Sequence, residues 1–104
     1  MKRGEIWWAE MPLPAGKRPV VLVSRESSYA VRSSVTVAEV SRTLRGIATE
    51  VALGPRDGLP VKCVANADNL VTIPKTWLTR CISQLSPSKS KAFDEALRFA
   101  LGLG

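Results

Sequence analysis

At 104 residues, with 45% hydrophobic and 23% charged side chains, the chain has the composition of one ordinary globular domain spanning 1–104, and no apolar run approaches the ~20 residues of a membrane span. Fifteen Lys and Arg against nine Asp and Glu leave a net charge of +6, which favours a polyanionic partner, nucleic acid first and an acidic protein segment second. There is no histidine, which excludes a Ser-His-Asp triad, a two-histidine ribonuclease and a histidine-bound zinc site.

Arg3 to Ala9, centred on Ile6, Trp7 and Trp8, reads as a first strand because of its aromatic and β-branched content. Adjacent tryptophans in a strand point to opposite faces, so one ring is expected in the core. The other is expected to be covered by dimer or barrel packing, with stacking on a nucleobase as the alternative. Met11-Pro12-Leu13-Pro14-Ala15-Gly16 is a two-proline loop that cannot continue a ladder. It delivers Lys17, Arg18 and Pro19 to Val20-Val21-Leu22-Val23, an uninterrupted apolar run that predicts a strand buried on both faces.

Arg25 to Ser34 is a polar excursion around Tyr29, and Val35 to Val40 resumes a strand. Ser41-Arg42-Thr43-Leu44-Arg45-Gly46 ends that strand with hydroxyls, arginines and a glycine. A short strand over Thr49 to Leu53 is followed by Gly54-Pro55-Arg56-Asp57-Gly58-Leu59-Pro60, turn material throughout. Val61 to Ala65 and Leu70 to Ile73 predict two strands separated by the polar bend Asn66-Ala67-Asp68-Asn69. Pro74 to Leu78 predicts one helical turn, and Cys81 to Leu85 a last strand.

Ser86-Pro87 is a cap and first-turn pair, and Phe93, Leu97 and Leu101, with Ala96 and Ala100, recur at helical spacing. They predict an amphipathic helix over Pro87 to Leu101, stopped by Gly102. Six or seven short strands with one terminal helix define a mainly β fold, a small, strongly curved, largely antiparallel sheet. So small a domain is expected to cover its remaining apolar surface by forming a homodimer. Cys63 and Cys81 lack metal or redox spacing and are expected to be buried thiols. With no signal-peptide pattern after Met1-Lys2-Arg3-Gly4-Glu5, a cytoplasmic location is expected.

Three clusters are candidates for chemistry: Lys17 and Arg18, Ser41 to Arg45, and Asn66 to Asn69. If the second and third strands pair antiparallel, the start of one lies beside the end of the other, and Arg18 and Ser41 share one rim. A guanidinium and a hydroxyl there, with Arg42 and Arg45 nearby, supply what a phosphodiester needs for positioning and charge neutralisation. Arginines beside turns are also commonly just solvated, and a serine ending a strand commonly caps a turn.

RGEIWW, KRPVVLVS, VAEVSRTLRGIATEVALG, GLPVKCVANADNLVTIPKTWL and ALRFALGL occur in the order seen in the MazF/PemK toxins of type II toxin–antitoxin modules. The chain resembles that family over essentially its whole length, and most of all its actinobacterial branch. The resemblance implies an SH3-like barrel of the MazF/PemK/CcdB type. It also implies a dimer that cuts single-stranded RNA at a short sequence with neither metal nor cofactor, and a cognate antitoxin as partner. The family's reactive arginine falls on Arg18 and its hydroxyl residue on Ser41, where threonine is usual. Serine keeps the oxygen but lacks the methyl that stiffens the rotamer, so looser positioning is expected, with Thr43 as the alternative hydroxyl.

Lys17, Ser24, Arg42, Thr43, Arg45 and Asn69 are assigned to RNA binding. The loop before Arg18 lacks the acidic residue some members carry, and Glu10, Glu26 and Glu39 are the acids nearest in sequence to the site. Two other functions remain open from the sequence: a non-catalytic toxin of the same fold that poisons DNA gyrase, and a plain RNA-binding barrel.

Overall fold

The computed structural model describes all 104 residues. Six strands run β1 (Glu5–Glu10), β2 (Lys17–Leu22), β3 (Ser34–Ser41), β4 (Glu50–Leu53), β5 (Cys63–Pro74) and β6 (Leu78–Gln84), followed by helix α1 (Pro87–Leu101). They form one antiparallel sheet in the order β4-β5-β3-β2-β1-β6, so β2 and β3 lie near the middle and β4 and β6 are the edges. The sheet curls into a half-barrel, and α1 packs on β4 and β5.

The apolar run of β2 is buried on both faces, as its composition requires: Val20, Val21 and Leu22 are all 0% exposed. Val21 joins Ile6, Ala38, Leu53 and the helix residues Phe93, Ala96 and Leu97 in one cluster. Val20 and Leu22 join Tyr29, Val35, Val37 and Ile73 in a second cluster on the opposite face. Burying such side chains contributes about 1.5–3 kcal/mol each, which anchors the strand that carries Lys17 and Arg18.

The stretch expected as two strands around a polar bend is one strand, β5. Against β3 the register jumps from Val40 opposite Ala65 to Ala38 opposite Leu70, so Asn66 to Asn69 bulge out where β3 supplies only Glu39. The ladder survives because β4 supplies partners on the other side: Glu50 faces Asn66, and the Ala67 N–H donates to the Thr49 carbonyl at 2.8 Å. The Asn66 Oδ1 accepts the Asp68 N–H at 2.9 Å and holds the bulge in shape. Two register shifts between β1 and β6 add to the curl.

Helix α1 has the expected bounds. The Ser86 Oγ accepts the Lys89 N–H at 3.3 Å, Pro87 opens the first turn, and Gly102 ends the helix at φ 68°, a conformation that favours glycine. Phe93, Ala96 and Leu97 are buried, whereas Leu101 is 56% exposed because the last turn carries it away from the cluster beneath the helix. Lys89 Nζ binds the buried Asp57 carboxylate at 2.8 Å, and that carboxylate also accepts the Gly54 N–H at 2.9 Å, which ties α1 to the 54–58 turn. Cys63 is buried, but Cys81, on the edge strand, is exposed, against the expectation for it; both are free thiols. No helix is long and apolar enough to cross a membrane.

Candidate functional site

The β2–β3 ladder pairs Val20 with Glu39, and the same register carried two residues further sets Arg18 across from Ser41. Both line a cleft of about 620 Å³ at that end of the sheet. Lys17 and Arg42 stand in the same cleft, so four of the residues singled out in the sequence meet around it. Its walls contain three cations and no carboxylate. A concave site of one sign, walled partly by apolar groups, concentrates its field on an anion.

Arg18 is held on both sides. In β1 it faces Ala9, and its Nη1 lies 3.7 Å from Glu39 Oε1, on the neighbouring strand. Its Nε is buried without a hydrogen-bond partner, so the guanidinium retains unused donor capacity. A half-buried ion pair of this length orients the side chain more than it stabilises the fold. Of the three acids nearest in sequence, Glu39 is the one that lies against Arg18. Glu10 faces Lys17 across the β1–β2 ladder, and Glu26 accepts the Arg3 N–H.

Ser41 is less loose than the missing methyl implies. Its Oγ accepts the Thr43 N–H at 3.1 Å, which fixes the oxygen and leaves the hydroxyl proton to be donated elsewhere. Thr43 thus supports Ser41 through its backbone, while its own side chain is exposed and outside the cleft. Arg45 is also exposed and outside the cleft; its N–H, with that of Gly46, donates to the Glu50 carboxylate, which folds the 45–50 loop back on β4.

The structure does not bring Ser24 or Asn69 to this cleft. Ser24 lies just beyond the opposite end of β2, where its Oγ accepts the Thr36 N–H at 2.8 Å. Asn69 is exposed on the β5 bulge. Position in the sequence does not report the end of the sheet at which a residue emerges.

Sequence reasoning passed over the rest of the wall. Trp8 lines the cleft with Lys17 Nζ 5.2 Å from its ring centroid, a cation–π contact that covers the outward tryptophan. Trp7, on the other face, packs against the second apolar cluster and donates its indole N–H to Glu5 at 3.0 Å. Leu59, Pro60, Val61 and Cys63 close the far side. No motif marks them, because they reach the cleft only through the turn joining β4 to β5. Burial, and secondarily the Asp57 charge, push the Cys63 thiol up, which favours its neutral form. Glu39 carried a legible signal: in a strand, residues 39 and 41 face the same side.

A curled antiparallel half-barrel with a cationic, carboxylate-free cleft at the paired ends of two strands has the shape and charge to receive an anion, and comparison with known proteins gives its class. Residues 2–101 match the family described as PemK-like, MazF-like toxin of type II toxin-antitoxin system. The chain belongs to this family. Endoribonuclease MazF3 of Mycobacterium tuberculosis is 40% identical over 86 residues, 83% of this chain and 84% of the relative. The structure of Mycobacterium tuberculosis toxin MazF-mt6 superposes with a TM-score of 0.88 at 36% identity, covering 96% of this chain and 98% of the other. A mycobacterial endoribonuclease solved in complex with its cognate antitoxin also gives 0.88, at 32% identity over 100% of this chain and 97% of that one. These mycobacterial relatives agree with the actinobacterial branch expected from the sequence.

Proposed function

We propose that this toxin is a metal-independent endoribonuclease that cuts single-stranded RNA in the Arg18–Ser41 cleft and is neutralised by a cognate antitoxin. One observation carries the proposal: Arg18, Ser41, Lys17 and Arg42 converge on a single cleft without an opposing carboxylate in its wall. The names of the relatives, endoribonucleases over most of the chain, support the same activity.

The chemistry begins at the RNA. Its 2′-oxygen attacks the adjacent phosphorus as the 2′-hydroxyl gives up its proton, and a new O–P bond closes a cyclic phosphate. The bond from phosphorus to the 5′-oxygen breaks, and that oxygen leaves with the electron pair and takes up a proton from solvent water, the 2′-hydroxyl proton having passed to solvent. One proton is lost and one gained, and no water is consumed. DNA lacks the nucleophile, so selectivity for RNA follows from the reaction. Arg18 stays protonated throughout, since a guanidinium is not deprotonated in proteins. Its role is to stabilise the charge that builds on the non-bridging oxygens, with Glu39 holding it at the rim. Ser41 donates its hydroxyl to the phosphate, and Lys17 and Arg42 neutralise the strand on either side.

The same charge suits the acidic, initially disordered segment by which an antitoxin would occupy the cleft, and such a segment folds as it binds. A homodimer is the expected assembly, because so small a domain leaves apolar surface for a second copy to cover.

The decisive experiment incubates the purified protein with RNA and excess chelator and maps the new ends. Fragments with cyclic phosphate and 5′-hydroxyl ends are expected. Ends bearing 5′-phosphate, or cutting only when metal is restored, would overturn the mechanism. Uncut RNA that is nonetheless bound would favour the plain RNA-binding barrel.

A further inference from the structure

A second cleft lies at the opposite end of β2, about 210 Å³ in volume and lined wholly by polar side chains. Six residue steps separate Arg18 from Ser24, which at about 3.3 Å per step places the two clefts ~20 Å apart along the strand. Arg25 and Arg32 stand on its rim. Neither takes part in any of the chain's three ion pairs, which join Arg3 to Asp94, Arg18 to Glu39 and Lys89 to Asp57. The one acid beside them in sequence, Glu26, is not among the lining residues and is engaged by the Arg3 N–H at 3.1 Å.

The hydroxyls behind the two guanidiniums are arranged as donors. Ser24 Oγ already accepts the Thr36 N–H at 2.8 Å, so its own proton is free. Thr36 and Thr72 share one hydrogen bond at 2.8 Å, which occupies one of their two protons and leaves the other. Ser34 lines the cleft with no hydrogen bond to its hydroxyl from within the protein. Ser28 is spent differently: its hydroxyl donates to the Arg25 carbonyl at 2.8 Å and shapes the turn that presents Arg25. Two unpaired guanidiniums and several free hydroxyl protons, with no carboxylate and no apolar wall, make a receptor for an oxyanion. The volume is below the ~300 Å³ at which pockets begin to hold drug-sized ligands, and no aromatic side chain lines it.

We propose that the Arg25–Arg32 cleft binds a backbone phosphate of the same RNA strand that is cut in the Arg18 cleft. The inference rests on the endoribonuclease function above, which supplies a polyanion long enough to reach both clefts. It makes the far cleft an anchoring site that raises affinity without reading sequence, since phosphate contacts position and base contacts specify.

The test uses uncleavable 2′-O-methyl RNA of mixed sequence, about 4 and about 16 nucleotides long, the range of single-strand site sizes. Binding of each length to the parent protein and to the double variant R25Q/R32Q is measured across a salt series. The double variant is expected to lose about tenfold in affinity for the longer RNA and to lower its log–log salt slope by ~0.7, the value for one single-strand phosphate. The advantage of the longer RNA over the shorter shrinks accordingly. R25K/R32K, which keeps the charge, retains most of the slope.

Both arginines are exposed, and an unchanged circular-dichroism spectrum and melting temperature show that the variant is folded. A slope and affinity unchanged in R25Q/R32Q overturn the proposal. So does inorganic phosphate that binds the parent more tightly than ~1 mM while RNA affinity ignores the substitutions, which would make this a site for a free anion. The two levels separate cleanly. If the parent never cuts RNA but the arginines still set the salt slope, the nuclease function fails and the anchoring cleft stands. If RNA is cut and the slope does not move, the cleft fails alone.

Discussion

The two ends of β2 use arginine in opposite ways. At the Arg18 end the guanidinium is half-buried, fixed by Glu39 and set in a cleft with apolar walls from Trp8, Leu59 and Val61. At the Arg25–Arg32 end the guanidiniums are exposed, unpaired and backed only by hydroxyls. The first arrangement gives up mobility for a defined position in a partly dry site, where a charge has its greatest effect on a transition state. The second keeps mobility and screening by solvent, which suits binding of a flexible polyanion. Position distinguishes the two ends more than charge does.

The sharpest way to break that contrast is Arg18→Ala. It is expected to lower the cleavage rate by ~10²-fold or more while leaving the fold intact, the loss typical of a charge-stabilising donor. Single-turnover cleavage with saturating enzyme measures it, and retention of activity within a few fold would make Arg18 no different from a rim cation. Next comes Ser41. Ser41→Ala is expected to cost about tenfold in the same assay, roughly the worth of one hydrogen bond to a charged group. Ser41→Thr restores the rate, because Thr43 still donates its N–H to the oxygen. Equal rates for the alanine and threonine variants would remove the hydroxyl from the mechanism.

The smallest effect lies behind the far cleft, at Tyr29. Burial, with a smaller push from Glu26, raises the Tyr29 phenol to about 12, and its hydroxyl is buried without a partner. A folded-state value above the ordinary 10 means that the native state holds the proton more tightly than the unfolded chain does. The contribution is therefore complete below pH 10 and is lost as the pH rises toward 12. Over that window parent stability is expected to fall by about 1 kcal/mol more than that of Tyr29→Phe, since solvent screening near the surface weakens the effect. Parallel denaturation curves for the two proteins would show that the phenol does not titrate on unfolding.

How much of this was legible beforehand depended on whether the signal was local. Val20 to Leu22 announced a doubly buried strand by composition, and Ser86, Pro87 and Gly102 marked the ends of α1, because caps and buried runs act within a few residues. The bend at Asn66 to Asn69 carried ordinary turn chemistry. It became a bulge inside β5 because β4 was there to pair with it, a fact held by residues far away in sequence. Leu101 had the right helical phase and still emerged into solvent, since phase does not say how far the surface beneath extends.

For the candidate site the division is the same. The sequence by itself determined the cationic residues and the absence of histidine, and strand polarity set the meeting of Arg18 with Ser41 on condition that β2 and β3 pair, which the sheet fulfils. Those follow from chain chemistry and from the alternation of an antiparallel pair. Only the tertiary structure decided that Glu39 fixes Arg18, that Leu59 to Cys63 close the cleft, and that Ser24 belongs to the opposite end with Arg25 and Arg32. Each of these depends on register, bulges and the course of a long turn. Such features are set by the packing energy of the whole sheet, not by the propensities of any one segment.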